Sequence, residues 1–206
     1  MFSKRQLPAE VFGLSDSTRM DSSGAVTSIQ SATVKLPSEG VDVLWNAHWL
    51  ERLARTYWRF LTRATLGLIR VVYSDEGREV VLIARPLRLL TFAKPEYTLT
   101  PTHGVVTWRI AGGLLVARAN KGLLRISVTR GETSGDAAAS LRVVVEVSNF
   151  YPAIAAKISD HLYRWTQSRI HVIVTYGFLN SLARGDLAES KAGQFADTTD
   201  GQKPQS

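Results

Sequence analysis

An α+β fold, in which an antiparallel sheet is covered by a long C-terminal helix, is predicted by three observations. Between residues 66 and 148 the chain breaks into short apolar and β-branched runs separated by turn signals: SDEGRE at 74–79, PTHG at 101–104, Gly112-Gly113 and Asn120-Lys121-Gly122. Turns this short join antiparallel neighbours. Residues 149–185 then carry apolar side chains at a spacing of three or four, which is one face of a helix. Residues 43–63 show the same spacing with an aromatic payload. A sheet must bury one face, and the long helix is its natural cover.

In chain order, residues 1–24 are polar, contain the run SDSTRMDSSG and show no period, so they read as a disordered tail. Ala25–Leu36 is a first strand with weak alternation, and Pro37-Ser38-Glu39-Gly40 is a turn. Asp42 suits the N-cap of a helix. From Val43 to Arg63 the apolar residues Trp45, Trp49, Leu53, Tyr57, Phe60 and Leu61 keep helical spacing, as one helix or two short ones. Leu66–Tyr73 is a nearly continuous apolar run. The hairpin after it uses Gly77 for a special backbone angle. Val80–Phe92 is long for a strand and contains Pro86, the mark of an edge or a bulge. Glu96–Thr100, Val105–Ile110, Leu114–Ala119, Leu123–Arg130 and Leu141–Ser148 follow as strands.

The final helix is expected over Asn149–Gly185. Pro152 suits its first turn, Gly185 the position after its last, and Arg184 the negative end of its dipole. Ile154, Ile158, Leu162, Trp165, Val172, Tyr176 and Leu179 form its apolar face. Ile170–Tyr176 also alternates and is β-branched, so a strand there stays open. Residues 186–206 read as a second disordered tail, which leaves one domain over 25–185.

Composition narrows the function. The 206 residues include no cysteine, which excludes disulfides, thiol nucleophiles and cysteine-ligated zinc. The N-terminus has no apolar run of the signal-peptide kind, and no stretch approaches the roughly 18 apolar residues of a membrane helix. A cytoplasmic location is the expectation. The net charge is +7, and residues 41–184 hold 19 basic and 10 acidic residues. A basic body attracts anionic ligands, membranes or nucleic acid without choosing among them. No G-x-S-x-G, P-loop or G-x-G-x-x-G is present, so catalysis has no sequence signature here.

Three stretches resemble the START-like helix-grip superfamily (SRPBCC), which includes the polyketide cyclases and the birch-pollen-allergen (Bet v 1) group. VKLPSEGVDVLW at 34–45 is similar to its first strand running into a turn and a helix with an early Trp. GVVTWRIAGGLLVARANKGLLRISV at 104–128 is similar to its central hairpins, and NFYPAIAAKISDHLYRW at 149–165 to its entry into the C-terminal helix. The resemblance covers residues 26–184. It implies a curved antiparallel sheet gripping the helix, with an apolar cavity between them for a lipid, sterol, polyketide or aromatic compound. The helix over 43–63 is longer than the pair usual in the family, which gives it the role of closing the cavity mouth or meeting a partner.

Alternation then sorts the side chains. Val106, Trp108 and Ile110, Leu124, Ile126 and Val128, and Leu141, Val143, Val145 and Val147 share the face toward the helix. Arg109, Arg125, Arg142 and Glu146 share the other, as solvent-side cross-strand pairs. Arg70 and Arg85 sit inside apolar strands, where an unpaired charge is costly, and would hold the acidic head of an apolar ligand if they point inward. The expected ligand-binding set is Arg70, Arg85, Trp108, Ile126, Val145, Trp165, His171 and Tyr176. His48 and His103 read as surface residues. His161 and His171 are ten apart, about 15 Å of helix, too far to share a metal, and no metal or other cofactor is expected.

Binding of a hydrophobic small molecule is thus the reading the sequence favours. A cyclase- or dehydratase-type enzyme on the same scaffold remains the alternative, with Arg70 or Arg85 near His171 or Tyr176. A third reading takes the stripe Arg52, Arg55, Arg59 and Arg63 as a surface for an anionic membrane or a protein partner. No motif for specific nucleic-acid binding accompanies the charge.

Overall fold

The computed structural model describes residues 10–37, 41, 45–64, 66–67, 69–74, 77–82, 88–131, 138–153, 178 and 187–188. Nine strands and one helix are found among them: β1 (Glu10–Met20), β2 (Val26–Pro37), α1 (Ala47–Ala64), β3 (Ile69–Tyr73), β4 (Gly77–Leu82), β5 (Arg88–Ala93), β6 (Glu96–Leu99), β7 (His103–Gly112), β8 (Leu123–Arg130) and β9 (Ala138–Phe150). All pair antiparallel in one sheet of order β1-β2-β9-β8-β7-β5-β4-β3, with β6 also on β7. The α+β class and the antiparallel sheet match the expectation and the resemblance.

The central strands follow from strict alternation. Val106, Trp108 and Ile110 of β7, Leu124, Ile126 and Val128 of β8, and Leu141, Val143 and Val145 of β9 are all buried. Register carries each row across the sheet: Val106 faces Ile126, Ile126 faces Val145, and Val145 faces Gln30 of β2. The opposite face holds the ion pairs that alternation assigns to it. Arg125 and Glu146 are register partners 3.7 Å apart, and Arg109 meets Glu96 at 3.1 Å.

Helix α1 lies against this apolar face. Asn46 caps it, its Oδ1 accepting from the Trp49 N–H at 2.8 Å. The cap is therefore Asn46; the expected cap, Asp42, lies outside the described residues. Leu50, Leu53, Ala54, Tyr57 and Trp58 are buried, with Leu50 facing Gly104 of β7. At its end the chain turns through Leu66 and Gly67, both at positive φ (53° and 79°), with the Gly67 N–H on the Thr62 carbonyl.

Several expectations are corrected. Glu10–Met20 is a strand, held by pairing to β2, where a structureless tail is expected. Its residues from Phe12 onward are exposed, so no burial pattern marks it. Leu66 belongs to the turn after α1, and β3 starts at Ile69. The expected single strand over 80–92 is two antiparallel strands, β4 and β5, the chain reversing between Leu82 and Arg88. Leu114–Ala119 forms turns, with only Val116 bridging to Pro152. Strand β9 runs to Phe150, so the segment Asn149–Ala153 is not the start of a helix. Gly77 is not at positive φ. A Cβ there would collide with the Phe92 carbonyl oxygen, so glycine serves the close approach of β4 to β5. Of the expected C-terminal helix, Phe178 is described and helical; the remainder of 154–185 lies outside the described residues.

Candidate functional site

The buried layer between α1 and the sheet is built from aromatic rings. Trp58 packs edge-to-face on Phe92 of β5 and on Trp108 of β7, with centroids 5.2 Å apart in both pairs. Tyr57 meets Trp58 at 5.3 Å and Phe178 at 6.1 Å. Local sequence explains the convergence. Trp108 sits on the inward set of β7, and Phe92 is paired with Ile110 of the same strand. Trp58 lies seven residues beyond Glu51 on α1, two turns along one stripe. The indole N–H groups of Trp49, Trp58 and Trp108 are buried and have no hydrogen-bond partner among the described residues. Tyr57 is buried as well, and burial holds its hydroxyl well above the ordinary phenol range.

Beside this layer the sheet forks. Strand β5 pairs with the C-terminal part of β7 through Thr91 and Phe92, while β6 pairs with its N-terminal part. Lys94 and Pro95 leave the sheet between them. Tyr73 and Arg78, partners at the end of the β3–β4 hairpin, face this notch, as does Tyr97 of β6. Arg78 stacks over the Tyr73 ring at 4.6 Å and Arg55 of α1 at 5.3 Å. Arg55 is also 3.6 Å from Glu51. Burial, and then the Glu51 charge, push the Tyr97 hydroxyl up to about 12. Burial raises Tyr73 also, against the pull of the two arginines.

The structure distributes the sequence-predicted site residues unevenly. Trp108, Ile126 and Val145 stand on the buried face of adjacent strands β7, β8 and β9. Arg70 does not point inward: Ile69 and Val71 of β3 pack on the core, so Arg70 is exposed on the other side, with its Nε 3.4 Å from the Gly67 carbonyl. Arg85, Trp165, His171 and Tyr176 lie outside the described residues. His48 is exposed, and His103 shares a 3.0 Å hydrogen bond with Thr129.

The arginine stripe is largely engaged within the chain. Arg52 donates to the carbonyls of Ala188 (2.9 Å) and Leu187 (3.4 Å), and the Ala188 N–H donates to Thr56 Oγ1 at 2.8 Å. Arg59 and Arg63 lie beside Phe60, at 5.9 and 5.8 Å. No helix among the described residues is long and apolar enough to cross a membrane.

Sequence reasoning missed Trp58, Phe92, Glu51, Tyr73, Arg78 and Tyr97. Trp58 carried a readable signal, since Glu51, Arg55 and Trp58 share one helix stripe. Buried Gln30, aligned with Val145, is a polar interruption of the apolar row that strand alternation alone does not mark.

No protein-family model matches the chain, and no curated protein does. Among solved structures it is similar to CalU16 from Micromonospora echinospora (15% identity, 80% of this chain and 97% of that one, TM-score 0.27). It is similar also to human STARD10 (6%, 89% and 76%, TM-score 0.30) and to Ara h 8.0201 (12%, 75% and 99%, TM-score 0.28).

Proposed function

We propose that this chain binds a hydrophobic small molecule in the layer between the sheet and helix α1, with Trp108, Ile126 and Val145 as part of the sheet wall. The observation that carries the reading is the pair of buried, unpartnered indole N–H groups on Trp58 and Trp108. A layer whose sole task is packing is filled equally well by phenylalanine or leucine. An indole N–H buried without an acceptor costs about 1–3 kcal/mol. Two of them in contacting rings fit a site whose ligand supplies the acceptors. Mostly apolar walls with a few convergent polar groups are the common make-up of small-molecule sites.

Native mass spectrometry of the freshly purified protein, followed by extraction and identification of what it carries, tests this. A stoichiometric lipid or aromatic compound is the expected result. A clean apo mass that stays unchanged after incubation with a panel of lipids and aromatic compounds overturns the reading.

A further inference from the structure

The face of α1 beside β6 holds two buried polar atoms without a hydrogen-bond partner among the described residues. They are Glu51 Oε2 and Arg55 Nε, and the two side chains meet through Oε1 and Nη1 at 3.6 Å. One is an acceptor and the other a donor, and they lie on the same stripe of α1. A single turn of helix, about 5 Å, separates Arg55 from Trp58. Tyr73 lies against Arg55, its ring centroid 5.3 Å from the guanidinium, and Tyr97 pairs beside Val106 on the same face of the sheet; each is 42% exposed.

We infer that this pair recognises the hydroxyl of a phenol or ring-borne alcohol, the hydroxyl accepting from Arg55 Nε and donating to Glu51 Oε2 while its ring lies toward Trp58 and Phe92. The inference rests on the small-molecule reading above and names its ligand class. A hydroxyl both donates and accepts, so it satisfies both atoms at once. An ether or ester only accepts and leaves Glu51 Oε2 unpaired. A carboxylate places a second negative charge beside Glu51. A bare hydrocarbon leaves both atoms unpaired at the cost of a buried charged group each. Entry displaces Tyr73 or Tyr97, and Arg78, whose Nη1 is held by the carbonyls of Ser74 (3.1 Å) and Gly77 (2.9 Å), keeps the rim of the notch in place.

Isothermal titration calorimetry of the full chain with 2-naphthol, 2-methoxynaphthalene and 2-naphthoate tests the assignment. The naphthol should bind roughly tenfold or more tightly than the other two, the value of a hydrogen bond to a charged group. In Glu51→Ala its advantage over the ether should fall to within about twofold, whereas Arg55→Gln, which removes the donor that both oxygens accept from, should weaken both ligands together, with the circular dichroism of each variant confirming the fold. Equal binding of naphthol and its ether to the unaltered protein overturns the hydroxyl assignment and leaves the small-molecule reading standing. A naphthol preference that survives Glu51→Ala, or binding of both ligands left unchanged by Arg55→Gln, places the hydroxyl elsewhere and overturns it too. If none of the three binds, and the native mass spectra are also clean, both fall together.

Discussion

Gly77 opens β4 opposite Ala93, and the adjacent Phe92 carbonyl occupies the space a side chain would need. Its neighbours are backbone, which cannot rotate away as a side-chain tip can. Gly77→Ala should therefore destabilise the fold by about 1–3 kcal/mol, the usual cost of forcing volume into a packed site. Urea denaturation checks this, and an unchanged midpoint would show that β4 and β5 separate at little cost. The same residue shows how a letter can be read correctly as special and assigned the wrong physics. Glycine after SDE in a hairpin signals positive φ, whereas here the demand comes from a strand eleven or more residues further on. Glu51 and Arg55 pose the same problem. At i, i+4 on a helix they read as an ordinary solvent pair worth a few tenths of a kcal/mol. What distinguishes them is Tyr73 from β3, whose ring lies 5.3 Å from the Arg55 guanidinium.

At the scale of elements, legibility follows burial. Strands β7, β8 and β9 present one apolar and one polar face, so their alternation fixes which residues are inside, and every such residue named from β7 and β8 is buried. Helix α1 is legible for the same reason. Strand β1 is not, because pairing rather than burial holds it: Phe12, Leu14 and Met20 are 39%, 49% and 50% exposed. Its hairpin with β2 is closed by Asp21, whose Oδ1 accepts from the Ser23 N–H (2.8 Å), the Ser23 hydroxyl (2.7 Å) and the Ala25 N–H (3.0 Å). These bonds, led by the Ser23 hydroxyl, hold its carboxyl below the ordinary value. A depressed folded pKa contributes stability at neutral pH that is lost only as pH falls through that depressed value. The hairpin should thus stay closed at the pH where a free aspartate is half protonated, about 3.9, and loosen below it. A carboxyl-carbon NMR titration of Asp21 with its midpoint at or above that value would contradict the turn chemistry. Asp21→Ala should abolish the acid transition and loosen β1 at neutral pH.

For the whole molecule the decisive contact is long-range. Val26 pairs with Phe150, and β2 runs beside β9 through Pro37 and Ala138, so the first core strand docks on the last. Such pairing closes most of the chain into one loop, the kind of contact that slows folding. It also leaves β1 as the outer edge, and that edge is irregular. One extra residue interrupts the register between Phe12 and Ser15, where Gly13 takes φ of 64°, and Asp16 and Arg19 carry charge along it. Bulges and charges are the usual defence of an exposed edge against another chain. Removing residues 1–22 should therefore leave the core intact, since residues 12–22 are exposed, and put β2 on the edge in place of β1. Strand β2 is twelve residues long and pairs with β9 with a single shift, between Val26 and Ser28. The shortened chain is expected to keep its near-ultraviolet circular dichroism, to melt a few degrees lower, on the order of 1 kcal/mol for a domain of this size, and to associate as its concentration rises. Light scattering behind size exclusion, from micromolar to submillimolar protein, reads this directly. Monomer throughout, with the core signal kept, would mean that β2 needs no shield. Loss of cooperative melting would mean that β1 belongs to the folding unit and not to its margin.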